Sequence, residues 1–294
     1  MRSAHCIGVV LLSACAASQP VFAPQQAPSE APASVGLQSL PPQEPVTIRG
    51  DENRGWLGVE MVSAPSEQAG ALVRDVLRGS PAAQAGIQAG HRIIRINGEG
   101  IAGPEDVARV VTRLPAGTRV SVAVEAPRGV RMLAVVLGPA PADDSDVMRL
   151  RYVGQPPPRL TDVRTVQGQS IQSLRELRGK VVVLEFWASW CAVCQFLVPK
   201  LNRWRDQYQA QGLELVSVTT DHFDLASATA GQLDIKYTVL ADPSGKTTEA
   251  YRALALPSLF VLDKRGIVRE TVVGYDEASF QRTELLIARL IAED

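Results

Sequence analysis

The stretch Val181-Val182-Val183-Leu184-Glu185-Phe186-Trp187-Ala188-Ser189-Trp190-Cys191-Ala192-Val193-Cys194 decides how the whole chain is read. Its first half is a β-branched apolar run, which predicts a strand buried on both faces of a sheet. Its second half is Trp-Cys-x-x-Cys, and Gln195–Trp204 then carries apolar residues at helical spacing. A strand therefore delivers two cysteines to the start of a helix. The orphan N–H groups and the positive end of the helix dipole stabilise negative charge there. Such surroundings lower a thiol pKa from ~8.5 to as little as ~3.5–7.5.

Three readings of the pair compete. A zinc site needs two more ligands, yet the chain has no second Cys-x-x-Cys, and its histidines are His5, His91 and His222. A structural disulfide between cysteines this close constrains almost no chain, so its entropic gain is small. Redox chemistry fits the strand–helix context best. Glu185 is the odd residue of the run: a carboxylate in a buried strand is costly without a role or a partner. It either titrates in the interior or sits at a sheet margin beside a Lys or Arg.

Phe186–Cys194 resembles the active-site signature of the thioredoxin superfamily. With the run-up Leu177-Arg178-Gly179-Lys180-Val181 it is similar to the TlpA-like branch of extracytoplasmic thiol–disulfide oxidoreductases. The resemblance covers about residues 155–294. It implies an α/β fold with a central mixed sheet and helices on both faces. It makes Cys191 the nucleophile and Cys194 the resolving thiol of a Cys191–Cys194 disulfide, and Glu185 the acid that accepts the proton of Cys194. Pro257 falls where such folds place a cis-proline facing the cysteines, so the peptide groups of Leu256 would pair with substrate backbone. Trp190 offers an apolar surface beside the thiol, or simply packs. Two positions depart from the branch. Val193 stands where Pro is common before the second cysteine, and Leu197 where a Glu often follows it. A peroxiredoxin-like peroxidase is the second reading, but Ala188 occupies the position of its threonine. A non-enzymatic PDZ adaptor is the third. No cofactor and no metal are called for.

The 294 residues suggest about two domains, and a net charge of −1 without a basic stripe argues against nucleic acid as partner. No apolar run is long enough for a permanent membrane-spanning helix. Residues 1–14 read as an export signal, and Leu12-Ser13-Ala14-Cys15 resembles a bacterial lipobox, with Cys15 lipidated. A cleavage after Ala23, giving a soluble exported form, is the competing reading. Residues 15–48, rich in Pro, Ala and Gln, predict a disordered tether. The expected location is the cell envelope (periplasm), with the protein anchored to a membrane through lipid.

Residues 49–140 predict a mainly β domain similar to the HtrA-like PDZ kind. Trp56-Leu57-Gly58-Val59 matches its carboxylate-binding loop. The following strand would accept a C-terminal peptide by strand addition. Val107, Val110 and Val111 would supply groove wall or core. The bland alternative is a spacer that binds nothing. Residues 141–158 read as a linker and 159–294 as the thioredoxin-like domain. This domain is expected to open with a hairpin over Leu160–Ile171 and close with a helix over Glu277–Ala292 that buries Leu285, Leu286, Ile287, Leu290 and Ile291. The implied partners are a protein disulfide or dithiol client and a redox partner protein.

Overall fold

The computed structural model describes residues 50–65 and 68–293. The expected signal, Cys15 and the tether lie outside the described residues.

The first domain runs β1 (Gly50–Trp56), β2 (Val59–Ser63), β3 (Ala71–Val76), α1 (Pro81–Gln84), β4 (Arg92–Ile96), β5 (Glu99–Gly100), α2 (Pro104–Thr112), β6 (Arg119–Ala126), β7 (Gly129–Val136) and β8 (Gly138–Pro141). Strands pair in the order β2-β3-β4-β6-β7, with β5 on β4, while β1 pairs with β8. Pro104 occupies the first turn of α2, and the carboxylate of Asp106 accepts the Ala102 amide at 2.8 Å, so the helix start is fixed. Leu57, Ile93, Ile96, Val107, Val110, Val111, Val122 and Val124 share one buried core.

The segment expected as a linker instead holds a helix, α3 (Asp144–Tyr152), capped by the Asp143 carboxylate on the Asp146 amide at 3.0 Å. Met148 and Tyr152 of α3 are buried in the core of the second domain. That domain continues with β9 (Arg164–Gln167), β10 (Val181–Trp187), α4 (Ala192–Tyr208), β11 (Leu213–Thr219), α5 (Phe223–Gln232), β12 (Thr238–Ala241), α6 (Lys246–Ala250), β13 (Ser258–Leu262), β14 (Val268–Val273) and α7 (Glu277–Ala292). Its mixed sheet has the order β14-β13-β10-β11-β12-β9. The hairpin expected over Leu160–Ile171 does not form: β9 pairs antiparallel with β12, far along the chain. Ser173 and Glu176 form a capping box ahead of β10, on a single 3-10 turn.

All seven residues of β10 are buried. Their period of two sorts them onto two cores. Val181, Val183 and Trp187 face α4 and α7, where Trp204 and Phe280 stack at 4.1 Å between ring centroids. Val182, Leu184 and Phe186 face α3, Tyr251 and Phe260. In α7 the buried residues are Phe280, Thr283, Ile287 and Leu290, whereas Leu285 is 72% exposed. Leu285, Leu286 and Ile287 are consecutive, and a helix cannot turn three consecutive residues inward.

The described residues belong to one compact unit. Arg151 of α3 reaches Glu60 of β2 at 3.0 Å and also pairs with Asp75 of β3, and Arg252 reaches Glu60 at 3.2 Å. The first domain is thus held against α3 and the loop after α6. Among the described residues no helix is long and apolar enough to cross a membrane.

Candidate active site

Cys191 is the N-cap of α4, and it is joined to Cys194 by a disulfide. The Cys194 amide donates to Cys191 Sγ at 3.2 Å. The same amide is placed to donate to a Cys191 thiolate once the bond is reduced, in addition to the dipole of a 17-residue helix. Both sulfurs are secluded in this oxidised state. Cys194 is 1% exposed, and Cys191, the nucleophile that the resemblance implies, is only 6% exposed. Cys191 is the more open of the two, yet in the bonded state it lies against the core.

The turn leading into the helix is pinned from two sides. The Ser189 amide donates to Asp221 Oδ2 at 2.7 Å, and Gln195 Nε2 donates to the Ser189 carbonyl at 2.6 Å. Nothing in the local sequence pattern marks Asp221 or Gln195 for this role. Trp190, Val193 and Phe196 flank the cysteines as exposed apolar side chains, with Trp190 75% exposed. Trp190 is therefore not a packing residue.

The Leu256–Pro257 peptide bond is cis. Ser258 lies opposite Phe186 in the β10–β13 register, which brings Pro257 beside the end of β10 from which the cysteines follow. The loop is tied at both ends: Ser258 Oγ donates to the Ala255 carbonyl at 2.6 Å, and the Gly274 amide donates to the Pro257 carbonyl at 2.8 Å. Leu256 is partly buried, packed against both cores.

Glu185 lies on the face of β10 that carries Val183 and Trp187, the same face as α4 and both cysteines. It is not at a sheet margin, and among the described residues no Lys or Arg pairs with it. Its Oε2 accepts from Tyr237 Oη at 3.2 Å, while Oε1 is buried without a hydrogen-bond partner. Burial pushes its pKa up to about 8, against a smaller downward pull from the Tyr237 bond. Sequence reasoning did not find Tyr237, because it meets Glu185 only through the sheet.

In the first domain, Gly58 has φ +75°, and a Cβ there would come within 2.2 Å of Ser80 Cβ, so only glycine fits this loop. The Leu57 and Gly58 carbonyls accept the Ala82 and Leu77 amides at 2.9 Å each. β2, which starts at Val59, pairs on one side only, with β3. Val107, Val110 and Val111 are buried in the domain core and Leu57 with them, while Trp56 and Val59 are half-buried. A cavity of about 460 Å³ lies between the domains, lined by Trp56, Val59 and Glu60 on one side and Leu254, Ala255 and Ser258 on the other.

This is the fold and dithiol site of a thioredoxin-like domain following a PDZ domain. Residues 153–271 match the AhpC/TSA family, and residues 46–125 match the PDZ domain family. The two matches place a PDZ domain ahead of a thioredoxin-like domain in this chain. It is 32% identical over 113 residues to the thiol-disulfide oxidoreductase ResA of Bacillus thuringiensis subsp. konkukian, covering 38% of this chain and 65% of that protein. A structure assigned as the thiol:disulfide interchange protein DsbE from Chlorobium tepidum is 30% identical, with a TM-score of 0.43, covering 47% of this chain and 97% of that one. The HtrA-type protease AlgW with a decapeptide is 28% identical, with a TM-score of 0.29, covering 31% of this chain and 30% of that one.

Proposed function

We propose that this chain is an exported, membrane-tethered thiol–disulfide oxidoreductase whose PDZ domain brings a protein client to the Cys191–Cys194 couple. The observation that carries the reading is the disulfide at the helix start, with Leu256 packed against the core that holds the cysteines and a buried acid on the same face of the sheet. The relatives named as thiol-disulfide oxidoreductases support the chemistry.

In the reductive direction, the Cys191 thiolate attacks a client disulfide. A mixed disulfide forms and the client's other sulfur leaves as thiolate. Cys194 then gives its proton to Glu185, and its sulfur attacks Cys191 Sγ. The Cys191–Cys194 bond forms and the client's second thiolate departs, to be protonated by water. The oxidative direction is the reverse. Trp190 and the Leu256 peptide groups would hold the client chain beside Cys191. A peptide segment added to the free edge of β2 would lie by the cavity shared with the Leu254–Ser258 loop, which supports joint use of the two domains. Tethering rests on the Cys15 sequence context and would place the protein in the cell envelope.

The test is reduction of insulin by dithiothreitol with the full chain. Wild type should accelerate precipitation and Cys191→Ser should not. Equal rates for the two would remove the oxidoreductase reading and favour an adaptor. A peroxidase is disfavoured by Ala188 and would instead show hydrogen peroxide consumption that depends on Cys191.

A further inference from the structure

Ser217 sits opposite Glu185 on β11, and Val239 opposite Ser217 on β12, so the three form a row across the sheet. Tyr237 precedes Val239 by two residues and therefore presents its side chain on the same face. That face is the one carrying α4 and the cysteines: Tyr237, Val239, Leu215, Cys191 and Cys194 share one buried core. Between Tyr237 and Glu185 lie two strand spacings, ~9.6 Å. Tyr237 therefore reaches Glu185 on a diagonal across β11, where the residue in register with Glu185 is the small Ser217, its hydroxyl turned to the Thr238 carbonyl at 3.4 Å. The tyrosine hydroxyl ends on Glu185 Oε2, leaving Oε1 without a partner.

We infer that Tyr237 is a positioning residue for the redox step: its hydroxyl holds Oε2 of Glu185, so that Oε1 is the oxygen that receives the proton of Cys194. This rests on the exchange chemistry proposed above. Oε2 is engaged as an acceptor, so the proton goes to the free oxygen. The bond also favours the ionised carboxylate, the form that can accept a proton, against the desolvation that disfavours it. The groups facing Glu185 are few. Cys191 and Cys194, at the start of α4, belong to the buried core on this side of β10, and β11 and β13 offer Ser217 and Leu259 in register. Tyr208 and Tyr275 belong to the same core but direct their hydroxyls to Glu284 and Glu277. Among the described residues no charged side chain acts on the pair, so Tyr237 is the group that sets which oxygen is free.

The experiment compares reduced wild type with Tyr237→Phe, which keeps the ring and removes the hydroxyl. Carbon-detected NMR of labelled glutamate follows the Glu185 carboxyl through pH. A hydrogen bond to a charged group is worth about one pH unit or more, so the midpoint should rise by that much. In parallel, Cys191 carrying a glutathione mixed disulfide is allowed to close onto Cys194. Below the inflection, Tyr237→Phe should close roughly tenfold more slowly, with the inflection displaced upward. The first attack by Cys191 on glutathione disulfide should keep its wild-type rate. In a Glu185→Gln background Tyr237→Phe should add nothing to the closure profile. An unmoved carboxyl midpoint, or slowing of both steps alike, overturns the assignment of Tyr237. A wild-type protein that never closes its disulfide overturns the exchange reading itself, and the positioning role with it.

Discussion

Glu185→Gln should make the protein more stable at neutral and alkaline pH, by an amount that grows with pH. In the folded chain the Glu185 carboxyl is fully buried and titrates near 8, against an ordinary value of 4.5. Below 4.5 the folded and unfolded states both hold the proton. Between 4.5 and 8 the unfolded chain releases it while the folded one keeps it, so stability is lost as pH rises through this window and levels off above it. At roughly 1.4 kcal/mol per pH unit, the full loss is of order 5 kcal/mol. Glutamine keeps the shape and can still accept from Tyr237, but has no proton to lose. Its amide nitrogen takes the place of an oxygen that has no partner, which adds a pH-independent cost of about 1–3 kcal/mol. The variant should therefore be equal or weaker at pH 5 and stronger by several kcal/mol at pH 8.5. Urea unfolding of the oxidised proteins at half-unit steps from pH 5 to 9 measures the difference. Parallel stability curves for the two proteins would refute the buried, proton-holding carboxyl. A difference that shrinks as pH rises would refute the sign.

Cys194→Ser should accumulate mixed disulfides with client proteins at Cys191, and Cys191→Ser should not, as read on non-reducing gels. Faster alkylation of Cys194 than of Cys191 in the reduced protein would reverse the roles. Phe186→Ala should cost about 3–5 kcal/mol in urea unfolding, because the ring is buried against Tyr251 and Phe260 at centroid distances of 5.0 and 5.8 Å. A cost under 1 kcal/mol would mean that this face of the sheet repacks. Cys15→Ser should move the protein from the membrane fraction to the soluble fraction on cell lysis; unchanged partitioning would remove the lipid anchor from the account.

The strand, the cysteines and the helix after them are legible in the sequence because each is coded locally. Val181–Trp187 is a continuous apolar run, and Cys191 sits at a strand–helix junction. The capping box Ser173–Glu176 is equally local. What failed depends on tertiary partners. α3 is hidden because Asp144, Asp146, Arg149 and Arg151 make it look like solvated linker, while its apolar burial comes from Met148 and Tyr152. β9 looked like half of a hairpin, but its partner β12 lies some seventy residues on, and no turn signal points there. Leu285 was misplaced because an unbroken apolar run hides which side of α7 is wet. Glu185 stood out as a charge in an apolar strand, yet its partner Tyr237 did not. An aromatic before a strand is unremarkable until the register sets it on the same face across the small Ser217.

A redox titration of the full chain tests the central claim most directly. The protein is equilibrated in glutathione and dithiothreitol buffers of known potential, free thiols are alkylated, and the mass of the peptide carrying Cys191 and Cys194 is read. A working exchange couple should lose and regain both thiols together in one two-electron transition, with a midpoint in the span of roughly −120 to −270 mV occupied by thioredoxin-like catalysts. A bond that stays closed below about −300 mV would be a structural disulfide, and Cys191–Cys194 would then not be the reactive centre of this protein.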